Sequence, residues 1–153
     1  MQPDSIEMKT KQTVVTEISA AIGGFRATPG KLSYVLQEIR VADLCCQRLE
    51  EGKIPAQQQD AWVSCLQDAM NDIVFADEYI PRADIFTDRY FNVLERGITA
   101  IQHRGVQYTN PRLARRMGDE LGTADNELRG QWEKLNGMLS AQSVSAAVSV
   151  AKA

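Results

Sequence analysis

The chain has 153 residues, 44% hydrophobic and 24% charged, which predicts one soluble globular domain of ordinary size. Its 10 glycines and 5 prolines are too few for a collagen-like or a disordered Pro- and Gly-rich chain. The 17 basic and 20 acidic residues give a net charge of −3, which excludes a general polycation that would coat nucleic acid or an anionic membrane.

The N-terminal residues and the cysteines indicate where the protein resides. Asp4 and Glu7 precede any apolar run, and charges interrupt every window long enough to cross a bilayer, so we expect no signal peptide and no membrane contact. Cys45 and Cys46 are adjacent and Cys65 stands alone, which is not the spacing of a disulfide framework. We therefore expect a reducing cytoplasmic location, or an assembled virion.

Apolar residues recur at intervals of three and four, the period of one helix face, and predict an all-α protein. The first helix is expected to begin within residues 4–10 and to end at Gly23 and Gly24. The second begins at the cap Thr28–Pro29 and ends at Gly52. The positions predicted to face the core are Val14, Val15, Ile18, Ala21 and Ile22, then Leu32, Val35, Leu36, Ile39, Ala42, Cys46 and Leu49.

The second half of the chain continues this pattern. A third helix is expected from Pro55 to Pro81 and a fourth from there to Gly105, and the cap Asn110–Pro111 starts another, which Gly122 either divides or leaves whole. The predicted core positions are Trp62, Cys65, Leu66, Ala69, Ile73, Ala76 and Ile80; Ile85, Phe86, Tyr90, Val93, Leu94, Ile98 and Ile101; and Leu113, Met117, Leu121, Leu128, Trp132, Leu135 and Leu139.

These elements predict a compact bundle of four or five amphipathic helices over residues 1–139, with an antiparallel pair formed by 28–51 and 55–79. Residues 140–153 consist of Ala, Ser, Val and Gln with one Lys, and they have too little bulk to form a core. We expect them to be a loose C-terminal tail or an arm that depends on a partner.

Few residues suit catalysis or metal binding. Five residues instead of four separate Gly24 from Gly30, and Leu32 stands where a phosphate loop needs Ser or Thr, so that motif is excluded. The single histidine, His103, cannot supply a helical di-iron site or an obvious nucleophile–base pair. The sequence predicts no metal, no cofactor and no enzyme; a small enzyme using Asp68, Asp72 and His103 is the least favoured hypothesis.

Two segments have opposite charge. Residues 54–81 contain no Lys or Arg and five acidic residues, which are Asp60, Asp68, Asp72, Asp77 and Glu78. Asp68 and Asp72 are one turn apart and are expected on the helix side away from the core, as a solvated face or, less favoured, as a cation site or acid–base pair. Residues 97–118 contain no acidic residue and carry Arg104, Arg112, Arg115 and Arg116.

The arginines are the least ordinary feature of the chain, because cations in the first turns of a helix oppose its macrodipole. Three roles of the arginines are considered: solubility, contact with an acidic protein partner, and contact with phosphate. We favour a non-catalytic structural or adaptor subunit that acts in multiple copies, including a virion component of the phage-connector type. Its contacts with copies of itself or other subunits would use Arg104, Arg112, Arg115, Arg116, Asp68, Asp72, Asp77 and Glu78. The same opposite charges can also be satisfied within one monomer.

The alternative function is a nucleic-acid-associated regulator that presents Arg112, Arg115 and Arg116 to phosphates. The acidic total and the lack of an interleaved basic and aromatic surface disfavour it.

Overall fold

The computed structural model describes residues 3–25, 31–76, 88–123 and 126–152, and it describes the side chains of residues 8–25, 34–76, 89–122, 126 and 128–140. Six α-helices lie in these ranges: α1 (Pro3–Ile22), α2 (Lys31–Glu51), α3 (Gln59–Ala76), α4 (Asp88–Gln102), α5 (Pro111–Thr123) and α6 (Asn126–Lys152). A 3-10 turn, Ala56–Gln58, precedes α3. The ranges contain no strand, and the predicted all-α class is confirmed.

The chain divides into two compact units, Met1–Ile85 and Phe86–Ala153. Unit 1 contains α1, α2 and α3, and unit 2 contains α4, α5 and α6. The sequence pattern predicts one bundle over residues 1–139 with no boundary near residue 85, because helical periodicity shows which face of a helix is buried and not which helices pack together.

Unit 1 is held by the packing of α2 and α3, the most extensive helix contact among the described residues, with α1 against both. Glu38 in the first half of α2 contacts Asp72 near the end of α3, so the two helices are antiparallel, as predicted. The fully buried Trp62, Leu66 and Ile73 contribute the bulk of the α3 face. Complete burial of such a side chain stabilises the fold by about 1.5–3 kcal/mol.

Unit 2 has an aromatic core. The ring of Phe91 on α4 meets the rings of Tyr90 and Trp132 edge-on, with centroids 5.3 and 5.1 Å apart. Leu135 on α6 is also fully buried, and Lys134 Nζ lies 3.3 Å from Glu95 Oε2, which adds an ion pair between α4 and α6. Aromatic pairs of this geometry contribute about 0.5–1.5 kcal/mol beyond the area they bury.

Helix ends agree with the predicted glycine stops. Gly24 has φ 91° and donates its N–H to Ser19 O at 2.6 Å, which closes the last turn of α1. Gly105 has φ 71° and donates to Gln102 O at 2.9 Å just after α4. Both lie in the left-handed region, which only glycine enters at no steric cost. The predicted signals Thr28–Pro29 and Pro81 lie outside the described residues.

Two predicted core positions are wrong, since Leu36 is 41% exposed and Ala21 is also exposed. Val41 and Cys45 of the same helix as Leu36 are buried instead. The reason is that α2 packs against both α1 and α3, so its buried face is wider than one stripe and is turned away from Leu36. The predicted positions that are only half-buried are Val15, Leu121, Leu128 and Leu139. The side chain of Leu32 and the residues Ile80, Ile85 and Phe86 lie outside the described part of the chain.

The residues after Gly122 form a separate helix. Helix α5 ends at Thr123 and α6 begins at Asn126, so the segment that starts at Pro111 is divided and not whole. The backbone of residues 140–152 continues α6 as a helix. That this stretch is a tail or a partner-dependent arm stays a prediction.

Candidate functional site

The site begins with the capped N-terminus of α5. Asn110 Oδ1 accepts hydrogen bonds from the backbone N–H groups of Arg112 (3.0 Å) and Leu113 (3.2 Å). Asn110 Nδ2 donates to the Tyr108 hydroxyl at 3.1 Å, and Pro111 occupies the first helical position. The predicted cap is therefore present, and it fixes which residues fall in the first turns of the helix.

The first two turns of α5 carry three arginines, which we call the arginine edge: Arg112, Arg115 and Arg116. Arg112 and Arg115 are exposed and Arg116 is half-buried. The first turn of α5 contains no acidic residue. Because the N-terminus of a helix carries a partial positive charge, cations placed there destabilise the helix, by about 0.3–1 kcal/mol each near the terminus.

Arg104 differs from the arginine edge in its position. It follows the end of α4, where its backbone N–H donates to Ile101 O at 3.1 Å, and its side chain is half-buried. A cation after a helix C-terminus is favourable. The macrodipole of its helix therefore favours Arg104, whereas the macrodipole of α5 opposes Arg112, which lies in the first turn.

A shallow pocket of about 270 Å³ lies beside the start of α5. Its lining is mostly apolar and consists of Gln107, Tyr108, Thr109, Asn110, Pro111, Leu113, Ala114 and Leu139. Arg115 is one turn after Pro111 on the same helix. The mostly apolar lining of the pocket suits an apolar side chain of a partner.

The predicted acidic residues have different surroundings. Asp68 is exposed, and its Oδ2 lies 2.7 Å from Nζ of Lys11 on α1. Asp72 is half-buried and faces α2, not solvent, because it is three residues after Ala69 and four before Ala76, both of which are buried. The expected solvated face is therefore correct for Asp68 and wrong for Asp72. Asp77 and Glu78 lie outside the described residues.

Asp72 belongs to a group that sequence reasoning missed, the carboxyl cluster, which consists of Tyr34, Glu38 and Asp72. Glu38 is only 9% exposed and lies beside Asp72, which in turn lies beside Tyr34. Burial, and then the nearby Asp72 charge, raises the pKa of Glu38 to about 7. Burial likewise raises the pKa of Asp72. The spacing of the sequence does indicate that Glu38 is buried. Glu38 lies three residues after Val35 and four before Ala42, and both of these residues are buried.

Groups suited to nucleophilic chemistry are poorly placed. His103 is exposed just after α4, and all three cysteines are free and buried. Burial raises the pKa of the Cys45 and Cys65 thiols, which disfavours the reactive thiolate.

Within the described ranges, no group of three His, Cys, Asp or Glu residues is placed to hold a metal ion. None of the helices, over the part of the chain described, has the length and apolarity to cross a membrane.

Charge is unevenly divided between the two units. Residues 1–85 contain 8 basic and 13 acidic residues, and residues 86–153 contain 9 basic and 7 acidic residues. Unit 1 therefore has a net charge of −5 and unit 2 of +2. The arginine edge lies in the positive unit, and the acidic helix that was predicted as its complement lies in the negative one.

No protein family, curated protein or solved structure matches this chain.

Proposed function

We propose that the protein is a non-catalytic structural or adaptor subunit that works in multiple copies and uses the arginine edge as a protein-binding surface. The observation that carries this proposal is the position of Arg112 and Arg115, exposed in the first two turns of α5. Arg112, in the first turn, opposes the helix macrodipole there, and that turn is already capped by Asn110. Residues that weaken their own helix are better explained by binding than by folding.

The preferred partner is an acidic protein surface, above all unit 1 of a second copy. Guanidinium groups bind carboxylates through paired hydrogen bonds, and the net charges of −5 and +2 make one copy's unit 1 complementary to another's unit 2. Such a contact joins two different surfaces, so it closes into a ring or grows into a filament. A particle component, such as a connector in a phage virion, belongs to this class, as does a cytoplasmic adaptor.

Two of the acidic residues of α3, Asp60 and Asp68, remain available for this contact. Asp60 is exposed, and the side chains of the Lys11–Asp68 pair are 41% and 59% exposed. An ion pair as exposed as this contributes at most about 1 kcal/mol to stability, so Asp68 can exchange Lys11 for an arginine of another copy. The pocket beside α5 would receive an apolar side chain of the same partner surface.

A charge-reversal experiment tests this function. We expect the double variant Arg112→Glu, Arg115→Glu to lose the multi-subunit mass that the wild type shows by light scattering at low salt. The double variant Lys9→Glu, Lys53→Glu is the control matched for charge, since both lysines are exposed and lie outside the arginine edge. An unchanged mass in the arginine double variant would refute the proposed surface. Tight, strongly salt-dependent binding of a DNA or RNA duplex by a monomeric wild type would instead support the regulator.

A further inference from the structure

The acidic helix α3 carries an exposed aromatic ring. Asp68, Asn71 and Phe75 are exposed and are spaced by three and four residues, so they share one face of α3. The Phe75 side chain is 44% exposed, in the unit with the negative net charge. Helix α3 contains no Lys or Arg, and Asp77 and Glu78 follow it in the sequence. This face of unit 1 therefore combines an apolar ring with negative charge.

The start of α5 offers the complementary combination. The pocket of about 270 Å³ there is mostly apolar, and Pro111, Leu113 and Ala114 belong to its lining. Apolar cavities of about 150 Å³ hold a benzene ring, so this pocket has room for one phenyl group. Arg112 directly follows Pro111 and Arg115 directly follows Ala114, and both arginines are exposed. The same helix therefore supplies an apolar receptor and two cations.

We propose that the Phe75 ring of one copy inserts into the pocket beside α5 of a second copy, while Asp68 of the first copy meets the arginine edge of the second. This inference rests on the proposed function, because it names the residue that anchors the contact between copies. Asp68 lies two helical turns before Phe75, about 10.5 Å along the axis, so one helix face delivers both the ring and a carboxylate. An aromatic side chain that fills a pocket carries much of the binding energy of an interface, and the charges around it set specificity and the rate of association.

Phe25 is a second exposed phenylalanine of unit 1, and its surroundings do not suit this pocket. It lies after the end of α1, and Arg26 follows it in the sequence. A cation beside the inserted ring would meet the arginine edge, and like charges in contact oppose binding. Because Phe25 is 45% exposed and Phe75 is 44% exposed, Phe25 provides a control of the same residue type and nearly the same exposure.

The dissociation constant for self-association of the full chain, measured by sedimentation at low salt, tests the inference. We expect Phe75→Ala and Ala114→Phe each to weaken association about thirtyfold or more, since the first removes the ring and the second fills the pocket. The control Phe25→Ala should associate as tightly as the wild type. Circular dichroism shows whether each variant keeps the helical fold.

A mixture of the two defective variants gives a sharper test. Phe75→Ala keeps its pocket and Ala114→Phe keeps its Phe75 ring, so one productive contact can form between them. At a concentration where each variant alone is a monomer of 17.0 kDa, we expect the equimolar mixture to form dimers and nothing larger. A gain of association cannot come from a misfolded variant. If Ala114→Phe does not fold, Thr109→Trp blocks the same pocket from the exposed segment before α5.

The results that would overturn the inference differ from those that would overturn the proposed function. A mixture that stays monomeric contradicts the pairing of ring and pocket. Phe75→Ala that associates as tightly as the wild type also contradicts it, and so does Phe25→Ala that weakens association as much as Phe75→Ala; in both cases the charge-based assembly stands. A wild type that is monomeric at every salt concentration refutes the assembly, and the anchor with it.

Discussion

Arg112→Glu should stabilise the protein while it removes binding. Arg112 is the second residue of α5, is exposed, and follows a cap that the substitution leaves intact, since Asn110 Oδ1 accepts from the backbone N–H of residue 112. A cation in this turn costs about 0.3–1 kcal/mol and an anion there gains a similar amount. The introduced glutamate would also stand four residues before Arg116, and an oppositely charged pair at this spacing contributes about 0.2–0.5 kcal/mol.

The sum for an exposed site is a gain of about 1 kcal/mol. For a unit of 60–100 residues this corresponds to a rise in Tm of about 4–8 °C, which calorimetry resolves. Arg112→Gln removes the cation without adding an anion, so it should give about half the gain. The reasoning is refuted if Arg112→Glu lowers Tm, or if Arg112→Gln is more stabilising than Arg112→Glu.

Three further predictions concern single sites. Asn110→Ala should destabilise unit 2 by about 1 kcal/mol in urea unfolding, because two backbone donors of α5 lose their acceptor; no change would mean that water replaces the cap at no cost. Gly118→Ala should add about 0.5–1 kcal/mol, since a Cβ there meets no atom within 4 Å; a loss of stability would contradict this open space. Cys45 and Cys65 should react with a thiol reagent slowly in the native protein and rapidly in urea, because both are buried with raised pKa values; equal rates would contradict this burial.

Local signals in the sequence predicted the helix ends well. The Asn110–Pro111 cap and the stops at Gly24 and Gly105 depend on a few neighbouring residues, and each is present in the structure. The α3 stripe was also correct, since Trp62, Leu66 and the other described positions are buried. These features are local because capping and periodicity act within one helix.

What the sequence did not reveal depends on contacts between helices. Glu38 resembles an ordinary helix glutamate, and its burial beside Asp72 arises only when α2 packs on α3. The prediction that Leu36 is buried was wrong for a related reason. The spacing of apolar residues does not show toward which side α1 and α3 turn the buried face of α2, and that face does not include Leu36. The positions of Arg112 and Arg115 in α5 were predicted. The pocket near the start of α5 was not, because Leu139 of α6 forms part of its lining.

The central claim is that the protein assembles in multiple copies through complementary charge. The most direct test is the absolute mass of the purified wild-type chain, measured by light scattering over a series of salt concentrations. We predict a multi-subunit mass at low salt that falls as salt screens the contact between the arginine edge and an acidic surface. A monomer of 17.0 kDa at every salt concentration would contradict self-assembly through these charges.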